Sequence, residues 1–413
     1  MKNSNRLQSL SNPPAMTARL MFILAAACGL IVANLYYAQP LVGPISQSAG
    51  ISPAASGLIV TMTQIGYVIG LLFIVPLSDL LENRRLVSMA LGVAAVGLTG
   101  AALANGMAMF FAAAVLIGAG SVGAQILVPY AASLAPADQR GRIVGNIMSG
   151  LLLGIMLARP AASLTAGLLG WRAVFLLSAV LMGLLIMLLL PMLPKRIPQS
   201  RERYPQILLS LWELLRTKPV LRRRALYQAC LFGSFSLFWT VVPLWLSDHF
   251  RASQNEIAVF ALVGVAGAVA APIAGRLADK GWTRRLTGIA IVTAAVSFLL
   301  THAFAGSRLL SVAFFCAAAV LLDMAVSGNL VLGQQAIYAL GDEIRGRVNG
   351  LFMAIFFAGG ALGSAVGGWT YAQGGWMLAS VAGICFPVLA FLYYLTELPR
   401  PSHRARTLPS GEI

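Results

Sequence analysis

Two ionised side chains stand where ionised side chains are costly. Asp323 falls inside the apolar stretch 309–339, and Arg159 inside the apolar stretch 143–168. A charge at lipid depth carries a heavy penalty unless it is paired, hydrated or functional. Asp323 lies roughly fourteen residues into its stretch, or ~21 Å at the helical rise, which is near the middle of a bilayer. Arg159 lies roughly sixteen residues into its own, nearer the opposite face. A carboxyl at that depth can exchange protons, and a neighbouring guanidinium that comes and goes would switch its protonation. Arg159 can also hold an anionic group through two parallel hydrogen bonds. A fixed ion pair or a helix-packing hydrogen bond is the structural alternative for both.

A second constellation is polar and aromatic. Asn34, Tyr37 and Leu41 share one face at helical spacing, with Tyr36 well round from it and Pro40 kinking the helix near its end. Phe238, Trp239 and Pro243 stand at a comparable depth further along the chain, and Gln64, Gln125, Tyr130, Asn329 and Gln334 add amide and hydroxyl groups. Aromatic faces with a few amides suit a moderately sized, partly apolar ligand. The same residues also serve ordinary helix–helix packing. No other chemistry is supported. Cys28, Cys230, Cys316 and Cys385 have no metal-ligand spacing, nor have His249, His302 and His403. No glycine-rich phosphate cradle ending in Lys-Ser or Lys-Thr is present, so neither a cofactor nor a metal is expected, and ATP is not the direct energy source. An intramembrane enzyme would need His, Glu or Ser clustered at one depth.

The composition says what must position these residues. Of 413 residues, 59% are hydrophobic and 10% charged, against about 25% charged in soluble domains. The mean hydropathy is +0.82. Such a chain has lipid for a solvent. Twelve stretches are long enough to span a bilayer as helices: 17–43, 53–79, 86–105, 108–134, 143–168, 172–192, 223–247, 255–278, 286–305, 309–339, 347–372 and 376–396. This is an all-α membrane protein, with a β-barrel excluded by the length of the runs. The organisation follows: an N-terminal arm 1–16, a six-helix unit 17–192, a proline-bearing central loop 193–222, a second six-helix unit 223–396 and a tail 397–413.

The net charge of +16 would suggest nucleic acid in a soluble protein, but here it marks topology. All 29 basic residues except Arg159, Arg172, Arg251 and Arg308 fall in the N-terminal arm with the start of the first span (Arg19), the tail, the central loop with its junction, or the alternate turns around Arg84–Arg85, Arg140–Arg142, Arg276–Arg285 and Arg345–Arg347. By the positive-inside rule these lie in the cytoplasm, with both termini.

The two halves repeat. Pro76-Leu-Ser-Asp79 leading to Arg84-Arg85 returns as Gly275-Arg-Leu-Ala-Asp279 leading to Arg284-Arg285. Arg140-Gly-Arg142 returns as Arg345-Gly-Arg347, and Gly170-Trp171 as Gly375-Trp376. In this the sequence resembles the major facilitator superfamily of secondary transporters, whose turn after the second span carries Gly-x-Leu-Ala-Asp-Arg-x-Gly-Arg-Lys. The second copy is close to that pattern. The first departs at Val75, Leu80 and Glu82 but keeps the aspartate and the basic end. Asn34-Leu-Tyr-Tyr-Ala-Gln-Pro40, Phe238-Trp-Thr240, Leu321-Leu-Asp323 and Ser149-Gly-Leu-Leu-Leu-Gly154 resemble the bacterial drug- and sugar-efflux branch. The fifth span reads Ala158-Arg159-Pro160-Ala-Ala162, which keeps the proline of the antiporter pattern without its glycines.

The resemblance implies two six-helix bundles rocking about a central cavity, and proton-coupled efflux of a small amphipathic or polar solute from a bacterium through its inner membrane. Import by symport or uniport, and a non-transporting receptor, are the other readings. Proton, solute and bilayer are the implied partners, and a single chain suffices. It further implies a cytoplasmic gate: Asp79 against the next bundle's helix start with Arg345 or Arg347, and Asp279 against Arg140 or Arg142, with Arg84 and Arg285 at the basic ends of the two turns. Glycines such as Gly150, Gly154, Gly264, Gly267, Gly359 and Gly363 would let helices approach closely along the moving seams.

Overall fold

A computed structural model describes residues 17–136, 139–196, 202–303, 307–341 and 343–397. The N-terminal arm 1–16, part of the central loop and all of the tail after Glu397 lie outside the described residues.

The first half begins with α1 (Ala18–Ala33), capped by the Thr17 hydroxyl, which accepts from the Leu20 amide at 3.2 Å. The chain then leaves the α-helical path through 34–38 and a 3-10 turn at Gln39–Leu41, where Pro40 contributes no amide hydrogen. It resumes as α2 (Val42–Ala49), which ends at Gly50 with φ 65. The next run comprises α3 (Leu58–Ile69), a π-helical stretch Gly70–Ile74 and a 3-10 turn Val75–Asp79. There follow α4 (Asn83–Ala102), α5 (Met107–Gly120), α6 (Gly123–Leu134), α7 (Arg140–Leu169) and α8 (Trp171–Met192).

The central loop holds a helix that the sequence reading leaves as loop: α9 (Tyr204–Thr217), with Ile207, Leu211 and Leu214 buried on one face. It touches both halves. The Tyr204 hydroxyl donates to the Phe73 carbonyl at 2.8 Å, and Arg347 donates to the Ser210 hydroxyl at 3.2 Å. Its signal was an apolar spacing of four and three residues after Pro205.

The second half comprises α10 (Pro219–Phe250), α11 (Gln254–Val263), a 3-10 stretch Gly264–Val269, α12 (Ala270–Asp279), α13 (Thr283–Leu300), α14 (Arg308–Tyr338) and α15 (Arg345–Leu395). Ten helical runs among the described residues are long and apolar enough to cross a bilayer. The difference from twelve has two physical origins. With 16 residues, α1 alone is short, and the apolar run goes on past Ala33 through the broken segment into α2. With 51 residues, α15 would extend about 75 Å as one rod, more than twice the hydrocarbon thickness. It is broken at Gly374 and Gly375, the latter at φ 57, a conformation that costs glycine little.

In the first half α1 packs on α7, α4 on α5 and α8, and α3 on α5; in the second α10 packs on α15, and α14 on α12 and α13. The repeat is visible in the packing itself. Gly29 abuts Gly150 and Gly154 where α1 crosses α7, and Gly233 abuts Gly359 and Gly363 where α10 crosses α15. A side chain at Gly29, Gly150, Gly154, Gly359 or Gly363 would enter the partner backbone, and one at Gly233 would meet the Phe386 ring. Large apolar residues such as Phe22, Leu168, Met187, Leu309 and Met377 cover the outside. In water that would be a liability, and in lipid it is a matched surface.

Candidate functional site

Arg159 and Asp323 meet at the boundary between the halves, both 4% exposed. Arg159 projects from α7 just before Pro160. Its guanidinium carbon lies 3.9 Å from the Trp239 ring centre, 5.0 Å from that of Phe235 and 6.0 Å from that of Tyr36. Phe235 and Trp239 stand one turn apart on α10, so both rings face the same cation. Tyr36 comes from the broken segment after α1. Asp323, on α14, accepts a hydrogen bond from Trp239 Nε1 at 3.0 Å. The indole therefore serves both charges, its face to Arg159 and its N–H to Asp323.

The two charges do not form an ion pair within 4.0 Å, and no hydrogen bond joins the Arg159 guanidinium to any described residue. Its Nε and one terminal nitrogen are fully buried without a partner. A desolvated cation–π contact contributes about 2 kcal/mol, and an unpartnered buried donor costs about 1–3 kcal/mol, more when charged. The guanidinium is thus held but not satisfied. Behind Asp323 the 3-10 stretch comes very close: a Cβ at Gly264 would collide with the carboxylate and lie 2.8 Å from the Trp239 ring. Only glycine admits the backbone there.

The structure brings Arg159, Asp323 and Trp239 together and distributes the other candidates elsewhere. Asn34 is engaged within its own bundle, accepting from the Ser178 hydroxyl at 2.6 Å and facing the Met182 sulfur. Tyr37 is buried on the broken segment, and Gln125 is partly buried on α6. Tyr130 donates to the Pro194 carbonyl at 2.6 Å, at the arginine-rich end. Phe238 lies in an aromatic cluster with Phe298, Phe315 and Trp376. Asn329 donates to Gln228 at 2.7 Å inside the second bundle. Gln64 crosses the boundary, donating to the Ser236 hydroxyl at 2.9 Å. Tyr36 and Phe235 were missed as site residues. Tyr36 does lie on a different face from Asn34, turned to Arg159 while Asn34 turns to Ser178, and Phe235 was recoverable from its spacing to Trp239.

At the arginine-rich end the two symmetric turns differ. Asp79 lies 3.8 Å from Arg347 at the start of α15, and Arg347 also pairs with Glu202. Asp279 instead accepts from Gln335 of its own bundle at 3.4 Å, and Arg140 donates to the Ala132 carbonyl at 3.0 Å. The expected pairing of Asp279 with Arg140 or Arg142 is therefore not made, because each side finds a partner at home or in solvent. Arg84 pairs with Glu82 at 3.2 Å, Arg285 lies over the Trp282 ring and Arg345 over the Tyr338 ring. Among the described residues no cluster of His, Cys, Asp or Glu could hold a metal ion.

The family model of the Major Facilitator Superfamily matches residues 21–235 and again 224–412. The uncharacterized transporter YgaY of Escherichia coli O157:H7 is 38% identical over 92% of this chain and 95% of its own length. The probable transporter SCO4007 of Streptomyces coelicolor is 33% identical over 94% of this chain and 89% of its own. Among solved structures, that of a D-xylose–proton symporter superposes with a TM-score of 0.73 at 17% identity, covering 92% of this chain and 97% of that one. The chain belongs to the Major Facilitator Superfamily and is a multi-pass membrane transporter of that type.

Proposed function

We propose that this chain is a proton-coupled secondary transporter of the bacterial inner membrane, working as a monomer on a small organic solute. Twelve crossings, with both termini and α9 in the cytoplasm, agree with the placement of arginine at one end. The observation that carries the reading is the buried contact of Arg159 with Trp239, whose indole N–H donates to Asp323. A cation of one bundle rests on an indole of the other, and that indole holds the one carboxylate at mid-depth. Rocking of the bundles separates Arg159 from Asp323 and changes the field at the carboxylate, which is the requirement for taking up a proton on one side and releasing it on the other.

The branch resemblance supports efflux by proton antiport. One observation favours the opposite pairing, cotransport of proton and solute: the free donors on the buried cation suit a negatively charged load. The test is a solute panel in proteoliposomes under an imposed pH gradient, comparing wild type with Asp323→Asn. Transport that follows the gradient in wild type and is lost in the variant is expected. A solute carried equally well without the gradient, and by the variant, would remove proton coupling through Asp323.

A further inference from the structure

The geometry points to an organic anion as the transported solute, its negative group held by Arg159 and its apolar body laid against Tyr36, Phe235 and Trp239. This rests on the proton-coupled reading above and supplies the substrate class that reading leaves open.

Three observations converge. The first is the orphaned cation. Arg159 is 4% exposed, and its Nε and one terminal nitrogen have no partner. Buried polar groups without partners are rare in folded proteins, and each calls for an explanation. The nearest carboxylate is not that explanation, because Asp323 is turned to the Trp239 N–H at 3.0 Å. The fork of a guanidinium matches a carboxylate or sulfonate through two parallel bonds. The second is the wall. Three rings lie within 6.0 Å of the guanidinium carbon, so a bound anion would carry its hydrocarbon into aromatic surroundings. The third is the position: Arg159 and Tyr36 belong to the first bundle, and Phe235, Trp239 and Asp323 to the second. A ligand there touches both moving bodies.

The charge arithmetic then fixes the coupling. The titratable and charged groups facing this point are Arg159, Asp323 and Tyr36. With Arg159 positive and Asp323 negative the empty site is neutral. An anion added to it leaves one net negative charge, and a proton on Asp323 restores neutrality. Anion and proton therefore favour each other's binding, and by reciprocity each raises the other's affinity by the same factor. A cationic solute would do the reverse and displace the proton.

The experiment uses the purified full chain and four probes of one shape: benzoate, benzenesulfonate, benzamide and benzylammonium. Binding is read from tryptophan fluorescence, and proton uptake from a pH dye in weakly buffered solution. Wild type is expected to bind the two anions in preference to benzamide, by at least about tenfold, as expected for a charge-assisted pair. Arg159→Gln should lose that preference, Arg159→Lys should retain part of it, and Asp323→Asn should keep anion binding while losing the proton taken up with it. Thermal unfolding checks each variant. Arg159→Gln is expected to unfold at a lower temperature than wild type, since it leaves the buried Asp323 charge without the cation that balances it, and binding is compared below that temperature. Preference for benzylammonium, anion binding unaltered by Arg159→Gln, or no saturable binding of either anion by folded wild type would overturn the proposal. Anion binding that depends on Arg159 but brings no proton would leave the substrate class standing and overturn the proton-coupled reading instead.

Discussion

The two seams between the bundles are related by the repeat, yet they are built differently. Along the α3–α15 seam contact runs the full depth of the molecule. Gly57 meets the backbone of Ser364 and Gly368 at one end. Thr61 donates to the Ala361 carbonyl at 3.0 Å, Tyr67 and Phe357 meet edge to face at 4.5 Å, and Asp79 reaches Arg347 at the arginine-rich end. The α7–α11 seam is closed at the end away from the arginines, where Gly167 lies beside Asn255. Its contacts thin out along α12, and among the described residues Asp279 has no partner across it.

The difference has a source in the chain. The connection between bundles exists once, and among the described residues α9 braces the α3–α15 seam. Tyr204 holds the Phe73 carbonyl, and Glu202 and Ser210 hold Arg347. A duplicated sequence supplies two equivalent corners, and a single linker makes them unequal.

That asymmetry can be broken experimentally, and the largest effect is expected at its tightest point. In Gly57→Val the new side chain has no room against the Ser364 carbonyl. Overpacking costs about 1–3 kcal/mol, which is about 5- to 150-fold in the balance between states. Ser364→Cys should then become reactive to a water-soluble maleimide in the Gly57→Val background and stay protected without it. Equal protection in both would show that the seam is not closed by this contact.

Next comes Asp79→Asn. The pair is partly exposed, with side chains 46% and 23% accessible, and such pairs contribute about 0–1 kcal/mol. Transport should slow by roughly two- to fivefold with membrane insertion intact; unchanged kinetics would remove the gate from this corner. The smallest effect belongs to Asp279→Asn, which should leave transport within about twofold, because its partner in this state lies in its own bundle. A loss larger than that of Asp79→Asn would show that the second corner closes in another state and matters more.

The architecture was largely legible in the sequence, because bilayer thickness, arginine bias and the repeated turns each constrain it independently. Asp323 and Arg159 were legible for the same reason: a charge in lipid has few explanations. What escaped was local geometry. Tyr36 was placed on its own face but not beside Arg159, because that contact depends on how the bundles pack, and α9 was hidden among the prolines and charges of the central loop. The second corner's pairing escaped for another reason. Symmetry in sequence shows which residues are equivalent, but the pairing depends on where the bundles stand, and Gln335 and the Ala132 carbonyl compete for the same groups.

The central claim is that Asp323 carries the proton that drives the cycle. The direct measurement compares two modes in proteoliposomes: solute exchange at equal pH on both sides, and accumulation driven by a pH gradient. Asp323→Asn is expected to keep exchange, since the bundles can still rock with a neutral residue there, and to lose accumulation. Accumulation at the wild-type level in Asp323→Asn would contradict the account.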